Sequence, residues 1–95
     1  MVARLTTFTV APENVQETIT IYQQEVVPEI RKQKGNIDAR LLEPTDGSND
    51  FISITAWENK ADADAYESSG KYKELVGKIQ GLIGQPVLKT YTSQQ

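Results

Sequence analysis

Residues 51–57 carry large or apolar side chains on both of the faces that an alternating strand presents. One face holds Ile52, Ile54 and Ala56, and the other holds Phe51, Ser53, Thr55 and Trp57. A sheet containing such a strand has to be covered on both sides. This requirement is severe for a chain of 95 residues, because a domain of that size buries only about 60 to 65% of the surface its unfolded chain exposes.

Three further segments have the composition and alternation of strands. Residues 2–10 are rich in Thr, Val and Phe, residues 37–42 alternate, and residues 86–92 close the chain before a polar tail. The turn-rich stretch at 44–50 joins the second strand to the third, so these two strands are expected to form a hairpin.

A long first helix is predicted after Asn14, which has Glu17 three residues later in the manner of a capping box. Its apolar residues recur at helical spacing: Val15, Ile19, Tyr22, Val26 and Ile30. Pro28 lacks the amide that would bond to the carbonyl of Gln24, so a kink or break is expected there. Gly35 is expected to end the helix.

Two shorter helices are predicted in the second half of the chain. Asn59 is expected to cap a helix that continues to about Ser68, and Gly70 is expected to separate this helix from the next helix. That last helix has apolar positions at Tyr72, Leu75, Val76, Ile79 and Leu82 or Ile83. Gly84 is expected to cap its end.

The order β, α, β, β, α, α, β within one domain spanning residues 1–95 predicts an α+β fold. The expected architecture is a ferredoxin-like antiparallel sheet with helices on one face. The other face then carries Leu5, Ile52 and Ile54, and pairing with the same face of a second copy would bury it. We therefore expect a homodimer whose two sheets form a dimeric α+β barrel.

The chain contains no His and no Cys, which removes the usual base near neutral pH, the commonest metal ligand and the usual haem ligand. We expect no metal and no cofactor. The net charge is −3 and the Lys and Arg residues are dispersed, so nucleic acid is not an expected partner. No apolar run is long enough for a membrane span or a secretory leader, and a cytoplasmic location is expected.

Three segments resemble the antibiotic biosynthesis monooxygenase-like family, which includes small quinol monooxygenases and haem-degrading oxygenases. Residues 26–35 resemble its kinked first helix, with Pro28 seven residues before Gly35. Residues 54–60, which contain Trp57-Glu58, resemble its third strand and the following helix cap, and residues 85–91 resemble its last strand. The resemblance covers most of the chain and implies the same dimeric barrel.

The resemblance implies a ligand pocket with Trp57, Tyr66, Lys71, Thr6 and Arg40 as candidate ligand-binding residues. Trp57 occupies the family's pocket position, where an indole can stack on a flat ligand, and the alternative is a core aromatic. Tyr66 and Lys71 stand where members often carry His. Thr6 stands near an Asn of the haem-degrading branch.

The resemblance implies a cofactor-independent monooxygenase that acts on a quinol or polycyclic phenol, whose own anion activates oxygen. Such a site stabilises the anion with Arg4, Arg40 or Lys71, if one of them faces inward. The alternative is a non-catalytic homodimer that binds a small apolar ligand, and the absence of the family's His residues favours it. Val76 stands near the iron-binding His of the haem-degrading branch, so the chemistry of that branch is not expected.

A plainer interpretation of the polar residues competes with these roles. Arg4 and Arg40 are expected as solvated residues of the sheet, and Tyr22 and Tyr72 occupy core positions of their helices. The carboxylates of Asp62, Asp64 and Glu67 are also expected to be solvated.

Overall fold

The computed structural model describes residues 1–94 and contains a four-stranded antiparallel sheet in the order β2-β3-β1-β4. The strands are β1 (Val2–Thr9), β2 (Asn36–Leu42), β3 (Asp50–Trp57) and β4 (Val87–Thr92). The predicted hairpin is the β2-β3 pair. The α+β, ferredoxin-like fold predicted from the sequence is confirmed.

The helices pack against one face of this sheet. They are α1 (Val15–Ile21), a π-helical segment (Tyr22–Val26), α2 (Val27–Arg31), α3 (Lys60–Ser68) and α4 (Lys71–Gly77), and a 3-10 turn (Pro12–Asn14) precedes α1. In the described part of the chain, no helix has both the length and the apolar character needed to cross a membrane.

The predicted kink at Pro28 takes the form of a π-helical turn rather than a break. The amide of Val27 bonds to the carbonyl of Tyr22, five residues back. Because Pro28 has no amide to continue the regular pattern, the ladder shifts by one residue and then resumes as α2. Gly35 ends this region at φ +80°, as expected.

The expected capping box at Asn14 is wrong. Asn14 is already helical, with φ −102° and ψ −4°, and its side chain makes no cap. Pro12 begins a 3-10 turn that draws Asn14 into the helical conformation. The Asn14 side chain instead donates to the carbonyl of Leu82, 3.4 Å away.

The second helical region begins as the sequence predicts but ends earlier than the sequence predicts. The side chain of Asn59 accepts from the amide of Asp62 at 2.9 Å, which confirms the predicted cap. The last helix ends at Gly77, earlier than expected. Gly84 does not cap it, because the amide of Gly84 donates to the carbonyl of Thr9 at 2.9 Å and so fastens the chain beside β1.

The two faces of the sheet differ in character. Val2, Arg4, Thr6 and Phe8 of β1 point toward the helices and are buried. The opposite face, which has no helix on it, carries Ala3, Leu5, Ile52, Ile54, Ala56, Val87 and Tyr91. Val87 and Tyr91 are 57% and 48% exposed. We call this surface the open face.

Candidate functional site

A cavity of about 40 Å³ lies between the helices and the inward face of the two central strands. Its floor consists of Arg4, Thr6, Ser53 and Thr55. The strand register pairs Arg4 with Thr55 and Thr6 with Ser53, so the four polar residues form one compact patch. The walls are mostly apolar: Phe8, Tyr22, Val26, Ile30, Tyr66, Tyr72, Leu75, Val76, Ile79, Ile83 and Pro86. A few polar groups within apolar walls are typical of a small-molecule site.

Arg4 is the unusual member of this floor, because it is a charged residue with only 2% of its surface exposed. Its Nη1 donates to Oε1 of Glu67 at 2.9 Å. Its guanidinium carbon lies 5.0 Å from the ring centroid of Tyr72 and 5.6 Å from that of Tyr66. Its buried Nη2 has no hydrogen-bond partner among residues 1–94.

A buried polar group without a partner is costly, and more so when it belongs to a charged guanidinium. Arg4 lines the cavity, and an acceptor oxygen that came within hydrogen-bond distance of Nη2 would satisfy it with a charge-assisted hydrogen bond. The site can therefore hold a carbonyl or phenolate oxygen.

Two phenols of the cavity, those of Tyr22 and Tyr66, have raised pKa values. Burial raises the pKa of Tyr22 to about 12, although the hydrogen bond between its hydroxyl and that of Ser53 opposes this rise. Burial also raises the pKa of Tyr66. Both side chains thus keep their protons near neutral pH, so they can donate hydrogen bonds to a ligand but do not act as bases.

The structure brings together two of the five candidate ligand-binding residues, since both Thr6 and Tyr66 line the cavity. Trp57 lies behind Tyr66, with ring centroids 5.0 Å apart, and is 0% exposed. Its Nε1 donates to Oγ1 of Thr55 at 2.9 Å. Trp57 is therefore placed as a core aromatic that supports a cavity residue.

The two remaining candidates lie away from the cavity. Arg40 is exposed and pairs in the sheet with Ile54, which puts it on the open face, where it binds Asp38. The Nζ of Lys71 lies 3.1 Å from Glu74 and 3.6 Å from Glu29. Their distance from the cavity follows from strand alternation for Arg40 and from local ion pairing for Lys71.

Arg4 and Glu67 were expected to be solvated, and the structure corrects the expectation for Arg4 alone, because the side chain of Glu67 is exposed. Arg4 is buried, and Glu67 reaches it from α3 although 63 residues separate the two in sequence. One sequence signal could have identified Arg4, because strand alternation puts it on the same face as Val2 and Phe8. The contact with Glu67 has no local signal.

The described residues do not fit the haem-binding arrangement of the haem-degrading branch. Val76, near the position of that branch's iron-binding His, is a wall residue of the cavity, and the chain has no His. Residues 1–94 also hold no group of three or more His, Cys, Asp or Glu side chains placed to bind a metal ion. The cavity volume of about 40 Å³ is far below that of a porphyrin.

These features define a class of small ferredoxin-like proteins with a small cavity between sheet and helices and a buried cation among the residues that line it. The family model for antibiotic biosynthesis monooxygenase matches residues 1–78. The chain belongs to the antibiotic biosynthesis monooxygenase family, as its three motif segments implied.

Solved structures share the fold over nearly the whole chain. A candidate antibiotic biosynthesis monooxygenase from Deinococcus radiodurans has a TM-score of 0.84 at 12% identity, covering 100% of this chain and 94% of that one. A mutant of SnoaB, a cofactor-independent oxygenase from Streptomyces nogalater, has a TM-score of 0.82 at 17% identity, with coverages of 99% and 93%.

A mutant of MhuD with two manganese protoporphyrin IX molecules bound per active site has a TM-score of 0.81 at 15% identity, with coverages of 98% and 94%. No curated protein matches the chain significantly. At these identities the likeness shows the fold alone.

Proposed function

We propose that this protein is a cofactor-independent monooxygenase that acts on a quinol or polycyclic phenol in the cavity above Arg4. The observation that carries the proposal is the buried guanidinium of Arg4, a residue that lines the cavity and whose Nη2 has no partner among residues 1–94. Such a group stabilises a phenolate oxygen more than a phenol, because an adjacent positive charge favours the ionised form.

In the proposed reaction the bound phenolate supplies all the electrons. The anion reacts with dioxygen at a ring carbon, one oxygen atom stays on that carbon, and the other leaves as water, so that a phenol becomes a quinone without an external reductant. The protein's own residues hold the anion on Arg4, donate hydrogen bonds from neutral phenols and keep water away with the apolar walls.

A flat ring needs more room than about 40 Å³, since a cavity of about 150 Å³ holds benzene in other proteins. Binding therefore requires wall residues to move outward. Tyr72, Val76 and Ile83 are partly exposed and belong to α4 and the segment that follows it, so this wall is the proposed entrance.

The second candidate function is a non-catalytic homodimer that binds a small apolar ligand. The neutral phenols favour it, because the pKa of about 12 for Tyr22 gives the cavity no base to deprotonate a weakly acidic substrate. In that case Arg4 holds a ligand carbonyl and no oxygen is consumed.

Oxygen uptake in metal-free buffer separates the two candidates. A panel of quinols and polycyclic phenols is tested at several protein concentrations, with ¹⁸O₂ used to find one labelled oxygen atom in the product. Binding is followed by the emission of Trp57, the sole Trp. A monooxygenase gives uptake proportional to protein and above autoxidation.

Variants then locate the reaction. Arg4→Met is expected to lower the rate about a hundredfold, the usual cost of removing a preorganised donor. Arg40→Met removes the same charge from the open face and should leave the rate unchanged. Saturable binding without uptake would support the binding protein, and neither binding nor uptake with any compound would contradict both functions.

A further inference from the structure

Glu67 connects the buried guanidinium of Arg4 to the protein surface. Its side chain is 52% exposed, whereas that of Arg4 is 3% exposed, and their atoms Oε1 and Nη1 are 2.9 Å apart. Glu67 follows Tyr66 directly in α3. One turn of helix thus supplies both a wall of the cavity and a carboxylate for the cation in its floor.

The contact restricts how the guanidinium can rotate. The group is planar and its donors form a rigid fork, so a hydrogen bond at Nη1 determines where Nη2 lies. The rings of Tyr66 and Tyr72 lie within 5.6 Å of the guanidinium carbon and limit its tilt. Among residues 1–94, Nη2 has no hydrogen-bond partner, and Arg4 is one of the residues that line the cavity.

The contact also balances charge. Arg4 faces the carboxylate of Glu67 and the rings of Tyr66 and Tyr72, and its partner in the neighbouring strand is Thr55. The net charge around the guanidinium is therefore near zero before a ligand arrives. A phenolate entering this site meets one attractive and one repulsive charge, which moderates its advantage over a neutral phenol.

We propose that Glu67 is a positioning residue that holds Arg4 with Nη2 toward the cavity and, by its charge, sets how strongly the cavity prefers a phenolate over a neutral phenol. This inference rests on the proposed function, in which Nη2 receives the ligand oxygen. Glu67 itself is not among the residues that line the cavity.

The test separates orientation from charge with two variants. Glu67→Gln keeps an oxygen acceptor for Nη1 but removes the charge, and Glu67→Ala removes both. Glu74→Gln, at an exposed carboxylate of α4 that pairs with Lys71, is the control for loss of one surface charge. The probe is 4-nitrophenol, whose neutral and ionised forms have different absorbance, so one titration gives the affinity and the pKa of the bound phenol.

Three results are expected. Glu67→Gln raises the ratio of phenolate to phenol affinity about threefold to tenfold over the wild type, because the partly screened opposing charge is gone. Glu67→Ala binds phenolate at least about tenfold more weakly than Glu67→Gln, because Nη2 is no longer held. Glu74→Gln matches the wild type.

Equal phenolate affinity in the Gln and Ala variants would overturn the positioning role, and an unchanged ratio in Glu67→Gln would overturn the charge role. If the wild type does not bind 4-nitrophenol, NMR of the protein without ligand still tests the positioning role. The Nη protons of Arg4 should give separate NMR signals in the wild type and Glu67→Gln that merge in Glu67→Ala, and identical spectra would overturn the inference. Different results would contradict the proposed function: an absence of oxygen uptake, or phenol binding that is retained in Arg4→Met.

Discussion

At the scale of single residues, burial of Arg4 carries a large desolvation cost, and the contacts that offset this cost are individually weak. Two aromatic rings provide cation–π contacts, each worth about 0.5 to 2 kcal/mol. The ion pair with Glu67 contributes little because Glu67 is half exposed and its charge is screened. A residue kept at such a cost is expected to serve binding rather than stability.

Arg4→Met should therefore separate stability from function. Replacing this buried cation by an apolar side chain of similar length is expected to leave the free energy of unfolding unchanged or to raise it, because the carboxylate left without a partner, that of Glu67, is half exposed. Urea unfolding measures this, alongside phenol binding, which should be lost. A variant that unfolds more readily than the wild type would show that Arg4 is structural.

The buried tyrosines predict a loss of stability at alkaline pH. The pKa of Tyr22 is about 12 when folded against 10.0 ordinarily, and burial raises the pKa of Tyr66 in the same direction. The folded state thus keeps protons that the unfolded state has lost. Stability from these groups is complete below pH 10 and decreases above it, by about 1.4 kcal/mol per pH unit for each tyrosine.

Thermal unfolding between pH 8 and 11.5 would measure this decrease. Tyr22→Phe should reduce the slope above pH 10 by about half, since one of two buried phenols is gone. Tyr91→Phe removes a phenol that lies on the open face and outside the cavity, and it serves as the control for loss of one phenol. An identical slope in Tyr22→Phe and wild type would contradict the prediction.

At the scale of elements, the π-helical segment shapes the cavity. Tyr22 and Val26, its first and last residues, are both buried and both line the cavity walls. The extra residue in this turn rotates the helix, so that Pro28 and the exposed Gln24 are accommodated on the outer side. The proline of the family motif thereby influences which side chains line the cavity.

The turn at Gly35 supports a second element, because α3 packs directly against it. Gly35 has φ +80°, and a Cβ there would collide with the carboxylate of Asp62. Gly47 has the same φ of +80°, but no described atom lies within 4 Å of its Cβ position. Substitutions at the two glycines therefore distinguish the cost of backbone strain, which both share, from the cost of steric overlap, which only Gly35 has.

Gly47→Ala is expected to lower the free energy of unfolding by about 1 to 2 kcal/mol, the cost of a left-handed conformation. Gly35→Ala should cost clearly more because of the collision. In a double-mutant cycle by chemical denaturation, adding Asp62→Ala to Gly35→Ala should recover the excess. Equal costs for the two glycine variants would mean that Asp62 moves aside freely.

At the scale of the whole molecule, the open face predicts self-association. It exposes Val87 and Tyr91 beside the partly exposed Leu5, Ile52 and Ile54. The helices cover only the other side of the sheet. A second copy placed face to face would bury these side chains by an isologous contact, and the homodimer expected from the sequence remains our prediction.

Ile54→Lys should split that dimer, since it places a charge without a partner in the interface. Light scattering is expected to give about twice the chain mass of 10.6 kDa for the wild type and the single mass for the variant. Gln16→Lys, on the exposed side of α1, is the control and should stay dimeric. A monomeric wild type at micromolar concentration would contradict the barrel.

The sequence by itself determined the elements, their order and the inward face of the sheet. Alternation in β1 and β3 and the cap at Asn59 are local signals, because they depend on neighbouring backbone geometry. The last helix was predicted too long, since the bond of Gly84 to Thr9 depends on residues far apart in sequence.

Only the tertiary structure decided the site. Burial of Arg4, its pairing with Glu67 across 63 residues and the position of Trp57 behind Tyr66 arise when α3 docks on the central strands. A charged residue in a strand pattern is usually solvated, and although alternation puts Arg4 on the inward face, it does not indicate which group pairs with it. Local patterns specify secondary structure, whereas the partners of a buried charge depend on long-range packing, which a single sequence does not display.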